Sequence, residues 1–114
     1  MDSATEKGYI EAVSKGDEQA FESLFLHYFP RIKGFISGIL QNEEEAEDIS
    51  QDIFVSMWQN KDRLTGIENL NAYLFRMAKN TVFRHIERSL LFRDYQQQQA
   101  ERSSFSSANN ETIE

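Results

Sequence analysis

The sequence predicts an all-α fold, a compact bundle of three to four helices ending in a long basic helix. Three observations predict it. Apolar residues recur at spacings of three and four along most of the chain, as one face of a helix requires. Five Gly, one Pro and no Asn-Gly or Asp-Gly pair leave no hairpin signal. No alternating apolar and polar run is long enough for a strand.

The chain has 114 residues, enough for one domain. Apolar residues make up 39% and charged residues 27%, an ordinary globular balance. There is no signal-peptide pattern at Met1, and no apolar run approaches the ~20 residues a membrane helix needs. Cysteine is absent, so disulfide and thiol chemistry are excluded, and the expectation is an intracellular protein.

The net charge of −7 is unevenly spread. Residues 1–60 hold twelve acids and four bases, residues 61–93 three acids and seven bases, and residues 94–114 four acids and one base. The total thus hides a basic segment between two acidic ones, a local footprint of the kind nucleic-acid surfaces carry.

Residues 6–15 suit a short helix with Tyr9, Ile10 and Val13 on one side. Gly16 can end it in the left-handed conformation, and Asp17 can cap the next helix. From Asp17 to Leu40, Phe21, Leu24, Phe25, Tyr28, Phe29, Ile32, Phe35, Ile36, Ile39 and Leu40 keep helical spacing. Its aromatic content marks it as the centre of the core. Pro30 predicts a kink or break there, because proline lacks an N–H and clashes with the preceding turn.

Asn42 followed by Glu43, Glu44 and Glu45 reads as a capping box, with acids at the positive end of a helix dipole. That helix is expected to reach about Asn60, followed by the loop KDRLTGIE. It has two stripes. Ala46, Ile49, Ile53 and Met57 form a complete core stripe, while Glu47, Gln51, Phe54 and Trp58 share another face near Val55. Either the helix is central and packs on two sides, or the second face docks a partner; large aromatics beside amides and acids suit an interface anchor.

Asn69 or Asn71 can cap the last helix, which has no Gly or Pro. Leu74, Phe75, Ala78, Val82 and Ile86 form its core stripe. Arg76, Lys79, Asn80, Phe83, Arg84, Glu87 and Arg88 lie opposite, with Tyr73 at the edge. This is a solvated face or a nucleic-acid surface: cations for phosphates, an amide for base edges, an aromatic to stack on unpaired bases. Past Tyr95, four glutamines and a Ser- and Asn-rich run read as a linker or disordered tail over 96–114, with the helix fraying in the glutamines.

Catalysis has little support. His27 and His85 lie on separate helices, and no phosphate-cradling Gly loop exists. The acids from Glu43 to Asp48 lack metal-ligand spacing and are explained as helix-start acids. No cofactor and no metal are expected, and the chain reads as a non-enzyme.

DEQAFESLFLHYFPRIKGFI, EEAEDISQDIFVSMW and NLNAYLFRMAKNTVFRHIER, in that order and spacing, resemble domain 2 of bacterial sigma factors, closest to the extracytoplasmic-function (ECF) class. The resemblance covers about Asp17 to Arg93 and implies residues 17–95 as the domain, with 1–16 a short preceding helix. It implies a transcription initiation factor in the bacterial cytoplasm, bound to core RNA polymerase through a coiled coil of the largest subunit. Asp48, Gln51, Asp52, Phe54 and Trp58 are then the implied polymerase contacts. The loop around Glu68 to Asn71 and the basic helix side are implied to bind the melted minus-ten strand and capture a flipped base. The implied DNA residues are Asn69, Asn71, Tyr73, Arg76, Lys79, Asn80, Phe83, Arg84 and Arg88. An anti-sigma factor is a further implied partner. The sequence departs from the family mildly at Tyr73, often Trp, and at Arg84, often Asp; the second reverses a charge on the implied DNA side, so base preference does not carry over. The family's C-terminal helix-turn-helix domain is not expected within these residues. The competing reading is a helical protein-interaction module without a DNA role.

Overall fold

The computed structural model describes residues 1–113, with side chains through Ala100. Four helices follow in order: α1 over Ser3–Ser14, α2 over Glu18–Leu40, α3 over Glu43–Gln59 and α4 over Leu70–Ile113, with a 3₁₀ segment over Lys61–Gly66 between the last two. Among the described residues there is no strand. No helix is long and apolar enough to cross a membrane, among the residues described. The all-α class is therefore as the spacing predicts.

The helix ends are set by the residues that the sequence marks. Asp2 Oδ1 accepts from the Thr5 amide at 2.7 Å, so α1 starts three residues earlier than its apolar pattern suggests. It stops at Gly16, whose φ of 93° belongs to the left-handed region. There the Gly16 amide donates to the Val13 carbonyl at 2.8 Å and the Asp17 amide to the Ala12 carbonyl at 3.0 Å, which is a Schellman ending. Asp17 Oδ1 then caps α2 through the amides of Gln19 and Ala20. Asn42 Oδ1 caps α3 through the Glu45 amide at 3.1 Å, and Asn69 rather than Asn71 caps α4 through the Ala72 amide at 3.0 Å.

Two expectations are corrected. Pro30 does not break α2, which is helical from end to end. The carbonyl that proline leaves without a donor belongs to Leu26, and both residues are exposed, so water can take the missing bond. Nor does the last helix end in the glutamines: α4 continues to Ile113. Glutamine is a good helix former, and no Gly or Pro follows Gly66 to stop it. Glu114 and the side chains from 101 on lie outside the described residues.

The residues form two compact units, Met1–Val82 and Phe83–Glu114. The first holds the core. Ala20, Leu24, Tyr28, Ile32 and Ile36 make one i+4 ridge along α2. Against it are buried Ile10 and Val13 of α1, Ala46, Ile49, Ile53, Phe54 and Met57 of α3, Leu64 of the 3₁₀ segment, and Leu70, Leu74, Ala78 and Val82 of α4. The centre is thus mostly aliphatic. Of the aromatic residues on α2, only Tyr28 is buried; Phe21, Phe25, Phe29 and Phe35 are half-exposed beside the ridge. Phe35 meets Phe75 of α4 edge-on, 5.3 Å between centroids. The buried Ser50 hydroxyl donates to the Ala46 carbonyl at 2.6 Å, so its desolvation is compensated.

In the second unit Phe83, Arg84, Glu87 and Arg88 are exposed, as are Leu90, Leu91, Phe92 and Tyr95. Ile86, expected in the core stripe, is half-buried.

Candidate functional site

The two stripes of α3 separate by depth. Ala46, Ile49, Ile53 and Met57 are buried, as their spacing predicts. The second stripe is not uniform. Phe54 is 2% exposed, Trp58 is half-exposed, and Glu47 and Gln51 are exposed. The outward face is Asp48, Gln51, Asp52 and Val55, at steps of three, one and three, hence one helical stripe.

Phe54 forms the floor of an aromatic cluster that joins α2 to α3. Its ring lies 5.2 Å from Phe25, edge-on, and 5.9 Å from Phe29. Phe25 stacks on Phe29 at 4.7 Å, and Phe21 meets Trp58 edge-on at 5.1 Å. Lys61 Nζ sits 4.5 Å over the Trp58 ring, a cation–π contact. Between the two helices these rings leave a cleft of about 360 Å³, lined by Phe21, Phe25, Gln51, Phe54, Val55 and Trp58. The apolar cleft, with the Gln51 amide on its wall and Asp48 and Asp52 on the same outward stripe of α3, can take an apolar side chain while those acids pair with cations. The sequence reading missed Phe21 and Phe25 as part of it. Their signal was available: Phe21, Phe25 and Phe29 repeat at i+4, one position after the core residues Ala20, Leu24 and Tyr28.

A second, polar hollow of about 380 Å³ lies in the first unit, where α1, α2 and the start of α4 meet. Glu68, Asn69 and Asn71 line it, together with Glu6, His27, Tyr28 and Arg31, none of which the sequence reading singled out for a site. The Tyr28 hydroxyl donates to Glu6 Oε2 at 2.6 Å. Burial, then the Glu6 carboxylate, raise the Tyr28 phenol well above its ordinary pKa, so it stays a donor. His27 packs edge-on against Tyr28 at 4.7 Å; burial, then Arg31, push its imidazole below the usual value.

The basic side of α4 is outward, as its pattern predicts. In the first unit Arg76, Lys79 and Asn80 are exposed and Tyr73 is half-buried. In the second unit Arg84 and Arg88 are exposed, and Phe83 is 48% exposed. Asn69 has its Oδ1 committed to the helix cap, which leaves its amide N–H groups as donors. Among the described residues, no group of three or more His, Cys, Asp or Glu is placed to hold a metal.

The sequence model described as Sigma-70 region 2 matches residues 24–89, more than half of the chain. The RNA polymerase sigma-H factor of Pseudomonas aeruginosa is 31% identical over 77 residues, 68% of this chain and 40% of that protein. The ECF RNA polymerase sigma factor SigW of Bacillus subtilis is 32% identical over 82 residues, 72% of this chain and 44% of its own length. The ECF RNA polymerase sigma factor RpoE of Cereibacter sphaeroides is 31% identical over 65 residues, 56% of this chain and 36% of that one. The chain therefore spans less than half the length of these relatives. No solved structure matches it significantly. With the three motifs placed on α2, α3 and α4 and the family match spanning those helices, the chain belongs to the sigma-70 region 2 family, with ECF sigma factors among its relatives.

Proposed function

We propose that this chain is the promoter-recognising domain of a sigma-type transcription initiation factor. It docks on core RNA polymerase through α3 and binds the melted minus-ten strand through α4 and the loop before it. The observation that carries the reading is the face of α3: Asp48, Gln51 and Asp52 outside, beside a cleft framed by Trp58 and Val55. In this reading the acids pair with basic groups of a coiled coil in the largest polymerase subunit. Trp58 anchors the contact, and Phe54 supports it from below rather than touching the partner.

On the DNA side, Arg76, Lys79, Arg84 and Arg88 neutralise phosphates. Tyr73 and Phe83 offer stacking surfaces, while Asn69, Asn71 and Asn80 offer amides to base edges. Extruding a base costs a few kcal/mol of unstacking, which the hollow behind Glu68 to Asn71 offsets by hydrogen bonding. An anti-sigma factor masking these surfaces, a linker role for residues 96–114 and a bacterial cytoplasmic location belong to the same reading. Sigma factors are not enzymes, and the domain's work here is binding and strand separation.

The net charge of −7 gives the mechanism an order. Long-range repulsion makes free DNA a poor ligand, and docking brings the basic helix to the promoter. The test is binding of the chain to bacterial core polymerase, comparing wild type with Gln51→Ala and Trp58→Ala, with circular dichroism to confirm folding. Tight binding that folded variants lose supports the reading; no binding by folded wild type overturns it. Neutralising Arg76, Lys79, Arg84 and Arg88 is the second arm. It is expected to abolish promoter melting and leave docking intact, whereas unchanged melting favours an interaction module without a DNA role.

A further inference from the structure

The polar hollow contains a residue from outside the segment that the family motifs cover. Glu6 is on α1, and the Tyr28 hydroxyl fixes one of its oxygens at 2.6 Å. A carboxylate so held accepts hydrogen bonds and donates none; beyond the bond from Tyr28 it has acceptor capacity left. The wall also carries the Glu68 carboxylate and the Asn71 amide from the loop side, and its donors come from two other groups. Arg31 brings only donors, and Asn69, its oxygen engaged by the Ala72 amide, brings its N–H groups. The hollow thus offers an anionic acceptor on α1, facing a space with donors from α2 and the loop. Its volume of about 380 Å³ is of the scale that admits a planar base.

Resting on the reading of the Glu68–Asn71 loop as the base-capturing segment, we propose that Glu6 sets which base is captured, favouring one with an exocyclic amine and rejecting thymine. The amine donates to the Glu6 carboxylate, while ring nitrogen or carbonyl acceptors meet Arg31 and Asn69. Thymine has no exocyclic amine. Its one ring N–H is flanked by two carbonyl oxygens, and in the same orientation one of these faces the carboxylate. Glu6 is then a specificity residue, and Tyr28 is a positioning residue that acts through it.

The test works without a defined promoter. Polymerase holding this chain selects DNA from a pool of fork-junction duplexes with randomised single-stranded positions, and the bound fraction is sequenced. Wild type is expected to deplete thymine roughly tenfold at one position. Glu6→Gln keeps an acceptor for the Tyr28 hydroxyl, so α1 stays docked, but its amide can donate to a thymine carbonyl. It is expected to bring thymine to within about twofold of the other bases at that position, with the remaining positions unchanged. Tyr28→Phe, which frees the carboxylate without changing charge, weakens the depletion partway. Both variants are first checked for folding and for undiminished polymerase binding. The proposal is overturned if the Glu6→Gln profile superimposes on wild type, or if wild type shows no thymine-depleted position while still selecting DNA. If wild type selects no DNA beyond what core polymerase holds alone, the transcription reading itself fails, and this inference with it.

Discussion

The Phe21 ring meets the Trp58 indole edge-on at 5.1 Å, linking the start of α2 to the end of α3. This one contact frames the cleft and fixes the indole, over which Lys61 Nζ also sits, 4.5 Å from the ring centroid. Trp58 and Phe54 are four residues apart on one helix, yet they have different duties.

Their substitution separates the duties. Phe54→Ala removes a buried ring that touches Phe25 and Phe29, and is expected to cost about 3–5 kcal/mol of stability. Trp58→Ala removes a half-exposed ring and is expected to cost less, about 1–2 kcal/mol, while weakening polymerase binding at least tenfold. Urea unfolding of both variants, read by circular dichroism, checks the first statement; titration with core polymerase checks the second. A larger stability loss at Trp58 than at Phe54 would reverse the assignment.

The junction between α1 and α2 is expected to be sensitive to small changes. Gly16→Ala forces a Cβ onto a φ of 93° and is expected to destabilise by about 1–2 kcal/mol, although no neighbouring atom obstructs it. Asp17→Ala removes a cap that holds two amides, again about 1 kcal/mol. Thermal melts of the two single variants measure both, and equal melting temperatures with wild type would refute them.

Pro30 is a cost that the fold tolerates. Replacing it by Ala restores a donor to the Leu26 carbonyl and removes the ring clash, at an exposed position with no packing to lose. A gain of about 1–3 kcal/mol is expected in denaturant titration. A loss would mean that the helix uses the proline for its path against the core.

Stability is expected to fall at both ends of the pH range for separate reasons. The Tyr28 pKa is raised in the fold, so the unfolded chain ionises first. The contribution is complete below about pH 10 and declines as pH rises beyond it. The His27 pKa is lowered, so the unfolded chain takes up the proton first. That contribution is complete above about pH 6.5 and is lost as pH falls below it. Urea midpoints against pH, with Tyr28→Phe flattening the alkaline limb and His27→Gln the acidic one, test the assignment.

Much of this was legible in the sequence because it is local. Asp17, Asn42 and Asn69 cap the helices, Gly16 ends one, and the core stripe of α3 is buried, as are Leu74, Ala78 and Val82 of the α4 stripe, since caps and periodicity depend on neighbours within a turn. The outward basic side of α4 follows from the same periodicity. The motifs also identified the family.

Tertiary structure decided what crosses between helices. Periodicity placed Phe54 and Trp58 on one face, but only packing against Phe25 and Phe29 decided that the first is floor and the second is wall. A helix wheel gives the direction of a side chain and not the height of what stands opposite. For the same reason Phe21 and Phe25 joined the cleft unannounced, and Pro30 did not break a helix whose faulty carbonyl faces water. The pairing of Glu6 with Tyr28, 22 residues away, carries no sequence pattern. It exists because α1 folds back across α2, and that return is fixed by the buried side chains of Ile10 and Val13.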